Sequence, residues 1–68
     1  MNIQVIERAV DESGLRRDYI AKQLGISKSA MSQALKGNRK LSIEEFFKLC
    51  QTIGRDAHDL FDQAQKSA

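Results

Sequence analysis

Only Gly25, Ile26 and Ser27 separate two stretches of helical periodicity, "RDYIAKQL" and "KSAMSQAL". A link this short cannot return the chain into a long antiparallel hairpin, so it forces the two helices to cross sharply. The turn must begin at a residue that tolerates positive φ, and Gly25 stands there. The earlier helix needs a small side chain where the later one passes close, and Ala21 provides it. Apolar residues must fill the angle between them, a demand met by Ile20, Leu24, Ile26, Met31 and Ala34.

The rest of the chain reads as helices too. It has 68 residues, no proline and few aromatics, which points to an all-helical bundle around one small core. Ile3, Ile6 and Val10, flanked by Val5 and Ala9, recur at helical spacing behind Asn2 as N-cap, and Gly14 ends this first helix. The second runs from about Arg17 to Leu24; its start is poorly marked because Arg16 cannot accept a capping bond. Ser27 caps the third, whose inward stripe is Met31, Ala34 and Leu35, and Gly37 closes it. In "LSIEEF", Ser42 and Glu45 form a capping box and Leu41 staples onto Phe46. The fourth helix then takes Ile43, Phe46, Phe47, Cys50 and Ile53 as its apolar face and stops at Gly54. Asp56 caps a fifth, about Ala57 to Gln65, with Leu60, Phe61 and Ala64 apolar, and the tail "QKSA" is expected to fray. The expected architecture is all-α: a compact five-helix bundle in one domain, residues 1–68, with its helix-turn-helix at about 17–36.

Several function classes fall away. No apolar run approaches the roughly 18–20 residues needed to span a bilayer, and "MNIQVIERAV" mixes acid and base among its apolar residues, unlike a signal peptide. A cytoplasmic protein without membrane contact is expected. Cys50 is the one cysteine, so no internal disulfide can form, and it reads as a small core residue. His58 has no second His or Cys at ligand spacing. With no glycine-rich phosphate loop and no nucleophile–base pair, neither an enzyme, nor a cofactor or metal, nor a small-molecule ligand is expected.

Charge is unevenly spread. The formal net is only +2. Yet residues 16–40 carry Arg16, Arg17, Lys22, Lys28, Lys36, Arg39 and Lys40 against Asp18 alone, a net of +6, while the stretches on either side each carry −2. Such asymmetry suggests a polyanion held on one face, although a merely solvated basic surface has the same composition. With Met31, Ala34 and Leu35 turned inward, the third helix displays Lys28, Ser29, Ser32, Gln33 and Lys36. This face contains no carboxylate to repel a phosphate.

The segment "RDYIAKQLGISKSAMSQALKG" resembles the helix-turn-helix of the lambdoid-phage repressor and Cro proteins, the XRE family. The resemblance continues through "LCQTIG" and "DAHDLF" and covers roughly residues 3–62. It implies a DNA-binding transcription regulator that acts as a dimer on a palindromic operator. In length the chain is nearer a Cro-like protein or a bare DNA-binding domain than a full repressor. On this reading Lys28, Ser29, Ser32 and Gln33 read bases. Gln33 is suited to a bidentate pair with adenine, and Lys28 to donation toward guanine O6 or N7. Ala30 either touches a thymine methyl or packs.

Phosphate contacts are expected from Arg17, Lys36, Asn38, Arg39 and Lys40. Asn38, Arg39 and Lys40 match the family's loop that follows the DNA backbone. Arg17 departs from the glutamine that family members commonly carry there, keeping the contact and adding charge, at a helix end that itself favours an anion. Arg16 and the Tyr19 hydroxyl are weaker candidates. Leu60 and Phe61 on the fifth helix are the expected dimer surface, unless they simply close the core. Two alternatives stay open: an antitoxin or restriction–modification controller of the same fold, and an adaptor or antirepressor that binds protein. The adaptor would be marked by acids or exposed large apolar residues on the third helix, which has neither.

Overall fold

The computed structural model describes residues 1–66 and contains five helices: α1 (Ile3–Glu12), α2 (Arg17–Leu24), α3 (Lys28–Leu35), α4 (Ile43–Ile53) and α5 (Ala57–Lys66). Their starts follow the capping signals. The Asn2 side chain accepts from the Gln4 amide, Ser27 from Ala30, and Ser42 from Glu45, with Glu45 reaching back to the Ser42 amide to complete the box. Asp56 Oδ1 accepts from the amides of His58 and Asp59. Arg16 stands at the N-cap of α2 without a side-chain capping bond. α5 extends through Gln65 and Lys66, so the expected fraying does not begin at Gln65; Ser67 and Ala68 lie outside the described residues.

The ends of α2, α3 and α4 share one construction. A glycine in the left-handed region donates to a carbonyl three residues back, and the next residue reaches five back. At the crossing, Gly25 has φ +75°, its N–H donates to Lys22, and Ile26 donates to Ala21 over 3.0 Å. A β-carbon on residue 25 would meet nothing within 4 Å, so glycine is required there by backbone conformation and not by space.

α2 packs on α3 and α4, while α1 packs on α5 and α3, and α4 meets α5. The Asn2 amide donates to the Ala64 carbonyl over 2.9 Å and ties the start of α1 to the far end of α5. Ile6, Val10, Ile20, Met31, Leu35, Leu49, Cys50 and Leu60 fill the centre with almost no exposure. Burying an aliphatic side chain of this kind contributes about 1.5–3 kcal/mol before the entropy of ordering is counted. Ala21, 1% exposed where α2 and α3 cross, leaves no room for a larger residue without overpacking.

Two expectations about apolar faces need correcting. On α4 the buried residues are Phe46, Leu49 and Cys50, whereas Ile43 and Phe47 are 75% and 55% exposed. α2 and α5 both pack on α4, and together they select the Leu49 side of an apolar arc wider than one helix face can bury. On α5, Leu60 is 1% exposed and closes the core, leaving Phe61 at 43%. Leu60 therefore presents nothing to a partner chain.

Candidate nucleic-acid interface

The exposed side of α3 is built by subtraction. Met31, Ala34 and Leu35 are anchored in the core, and helical geometry then turns Lys28, Ser29 and Gln33 fully outward, with Ser32 half-buried beside them. Lys36, the C-cap residue, is exposed one turn further on. Ser27 spends its hydroxyl oxygen on the Ala30 amide, so it caps the helix and Ala30 sits half-buried above it. The five expected residues of this face are therefore brought together on one short helix.

At the end of α3 the Gly37 N–H donates to Ala34 and the Asn38 N–H donates to Gln33 over 2.9 Å. The Asn38 side chain returns to the same residue, its amide Nδ2 donating to Gln33 Oε1 over 3.1 Å. Asn38 is thus turned toward α3. Lys40 is exposed. Arg39 is half-buried and lies fork-to-fork on Glu45, with contacts of 3.2 and 3.1 Å. Glu45 also accepts from the Ser42 amide over 2.9 Å, so one carboxylate locks the loop to the start of α4. The bond from Arg39, followed by that from the Ser42 backbone, holds the Glu45 carboxyl below its ordinary pKa.

Arg17 opens α2 and is engaged from α1. Its guanidinium donates to Asp11 Oδ1 over 2.9 Å, with Glu7 Oε2 at 3.5 Å. The Asp11 hydrogen bond is the main reason the guanidinium's pKa is raised above normal. Sequence reading missed these partners because Glu7 and Asp11 appear there only as charges of another helix. Arg16 pairs with Asp18 over 3.2 Å, and Tyr19 is 48% exposed.

A helix-turn-helix family model matches residues 6–60. The chain belongs to the XRE family, the lambda repressor and Cro type. No curated protein and no solved structure matches it. The matched residues run from the core of α1 to Leu60, so the XRE family pattern takes in the α2–α3 crossing and the helices that support it. It is a family of DNA-binding regulators. Within this XRE-family chain, no helix among the described residues is long and apolar enough to cross a membrane.

Beside the XRE helix pair lies a second surface. Met1, Ile43, Phe47 and Phe61 are exposed around a groove of about 580 Å³ that Ile3, Leu41 and Phe46 also line. Phe46 forms its aromatic floor, with Phe61 edge-on at 6.2 Å and Phe47 tilted at 6.4 Å. Arg39 and Lys40 stand on the rim, so the groove adjoins the loop that follows α3. Only the Phe61 part of this surface is legible from sequence, because Ile43 and Phe47 carry the same helical spacing as core residues.

Proposed function

We propose that this chain is a sequence-specific double-stranded DNA-binding transcriptional repressor, Cro-like, which acts by occupying an operator as a dimer. One observation carries the reading: the outward face of α3 holds Lys28, Ser29, Ser32 and Gln33 with no carboxylate, directly beside a basic loop. Such a face can enter a major groove, where lysine and glutamine have complementary partners on base edges. Lys36, Arg39 and Lys40 hold the backbone on one side of the helix and Arg17 on the other.

Arg39 keeps its position on Glu45 while its remaining N–H donors stay available to phosphate. Arg17 reaches a phosphate by exchanging one anionic partner for another. The same groups release condensed counterions, which makes affinity fall with salt.

Dimerisation is assigned to the groove around Phe61, Phe47, Ile43 and Met1, occupied by a second copy of the chain. Its rim is the phosphate loop, so two copies meeting there would have their reading helices on one side. Four exposed side chains make a small surface beside the roughly 20–30 residues a side of a stable complex. Pairing is therefore weak in free solution and completed on DNA, with half-sites roughly 34–36 Å apart.

Selection from a random double-stranded DNA library at near-physiological salt tests the proposal. Enrichment of an inverted repeat supports it. Recovery of no preferred sequence overturns it and favours a protein partner.

A further inference from the structure

Asn38 touches Gln33 twice, and the two contacts have different consequences. The backbone contact, Asn38 N–H to the Gln33 carbonyl at 2.9 Å, belongs to the helix ending and depends on Gly37 at φ +85°. It sets residue 38 one turn beyond residue 33, on the same side of the helix. The side-chain contact, Asn38 Nδ2 to Gln33 Oε1 at 3.1 Å, then decides which end of the glutamine amide faces outward. We propose that Asn38 is a positioning residue for base reading, which presents Gln33 to the DNA with its amide donors outward. The inference rests on the DNA-binding reading and moves Asn38 from holding the backbone to acting through Gln33.

The chemistry follows from the donor and acceptor inventory of a carboxamide. Gln33 Oε1 has two lone pairs and Nε2 has two hydrogens. With one lone pair engaged by Asn38, both Nε2 hydrogens remain free, along with the second lone pair. Donors directed outward match purine N7, guanine O6 and thymine O4 in the major groove. Cytosine, which offers only its N4 donor there, gives Nε2 nothing to bind.

Adenine remains fully compatible, since N7 accepts from Nε2 while N6 donates to the second lone pair. Cytosine can meet only that second lone pair, one bond against adenine's two, whereas an unrestrained glutamine could rotate its amide and present Oε1 squarely to cytosine. Asn38 therefore strengthens discrimination against cytosine. Both side chains are exposed in the free protein, where water competes for their bond; docking excludes that water and strengthens it.

The test compares the unchanged protein with Asn38→Ala, Asn38→Asp, Gln33→Ala and Asn38→Ala/Gln33→Ala. Each is put through the same double-stranded DNA selection and then titrated against site variants that differ at one base pair. All variants keep the backbone bond and Gly37, and circular dichroism checks that each is folded.

Asn38→Ala is expected to reduce discrimination about three- to tenfold at the one position where Gln33→Ala abolishes it, the worth of a neutral hydrogen bond. The double variant is expected to lose nothing further at that position. Asn38→Asp offers only acceptors, so Gln33 turns its amide to donate toward residue 38 and presents Oε1 outward. Preference at that position then moves toward cytosine, even if the added carboxylate weakens binding to every sequence.

Uniform weakening by Asn38→Ala, with discrimination at the Gln33 position intact, overturns the inference and returns Asn38 to the phosphate set. Additive losses in the double variant overturn it as well. Failure of the DNA-binding reading is seen separately, as the absence of any enriched sequence with the unchanged protein.

Discussion

Arg17, the first residue of α2, donates to Asp11 of α1 over 2.9 Å. A cation expected to hold phosphate is therefore already paired, and its carboxylate partner competes with DNA. Asp11→Asn is expected to raise affinity for all DNA sequences several-fold and to steepen the salt dependence by up to about one unit of slope. The side chains of Arg17 and Asp11 are 38% and 58% exposed, so the cost to folding stays below about 1 kcal/mol. Titrations of non-specific DNA across salt concentrations check this; unchanged affinity and slope would remove Arg17 from the contacts.

Arg39 rests on Glu45 yet keeps donors free. Arg39→Ala should weaken binding to every sequence and lower the salt slope by about 1. Gln33→Ala should behave differently, relaxing preference at one base position at a cost of about 1–3 kcal/mol for the favoured sequence. Parallel titrations of favoured and disfavoured sites separate the two. Equal losses on all sequences for Gln33→Ala would end its assigned role.

The same ion pair makes a pH prediction. Bonds from Arg39 and the Ser42 backbone lower the pKa of Glu45 in the folded chain, so the unfolded chain binds the proton more readily. The stabilisation is complete above the ordinary glutamate pKa, about 4.3, and is lost as pH falls through the lower folded value. Thermal melts should show an acid decline that Glu45→Gln reduces. Ser42→Ala, which removes the other half of the capping box, should cost about 0.5–2 kcal/mol at neutral pH.

Leu60 of α5 and the exposed pair Ile43 and Phe47 of α4 should respond in opposite ways. Leu60→Ala opens a cavity in the core and should cost about 2–5 kcal/mol in denaturant unfolding. Changing the exposed Ile43 and Phe47 to serine should cost about 1 kcal/mol or less. That pair is expected to abolish cooperative binding to an inverted repeat while leaving affinity for a single half-site unchanged. Retained cooperativity would place the dimer contact elsewhere.

Much of the molecule is determined by local rules. Asn2, Ser27, Ser42 and Asp56 cap because a short side-chain oxygen beside free amides satisfies them whatever surrounds it. Gly25 and Gly37 end helices because their backbone conformation is strained for other residues. The outward α3 face follows in turn, since the stripe Met31, Ala34 and Leu35 leaves only one side for Lys28, Ser29 and Gln33.

Tertiary structure alone decided the rest. Helical spacing marks Ile43, Phe46, Phe47, Cys50 and Ile53 as one apolar face, and Leu49, outside that set, lies at its edge. Only the positions of α2 and α5 around α4 select Leu49 for burial and leave Phe47 outside. The same holds for Leu60 against Phe61, one residue apart. Charges follow this pattern: Arg17 meets Asp11 because the turn at residues 13–16 sets the start of α2 beside the last turns of α1, and Arg39 meets Glu45 because the loop folds back on a helix start. Asn38 reaches Gln33 because a glycine turn brings it there. Local propensity determines which residues form a helix, whereas burial and pairing depend on which helix lies opposite, and that is a property of the assembled core.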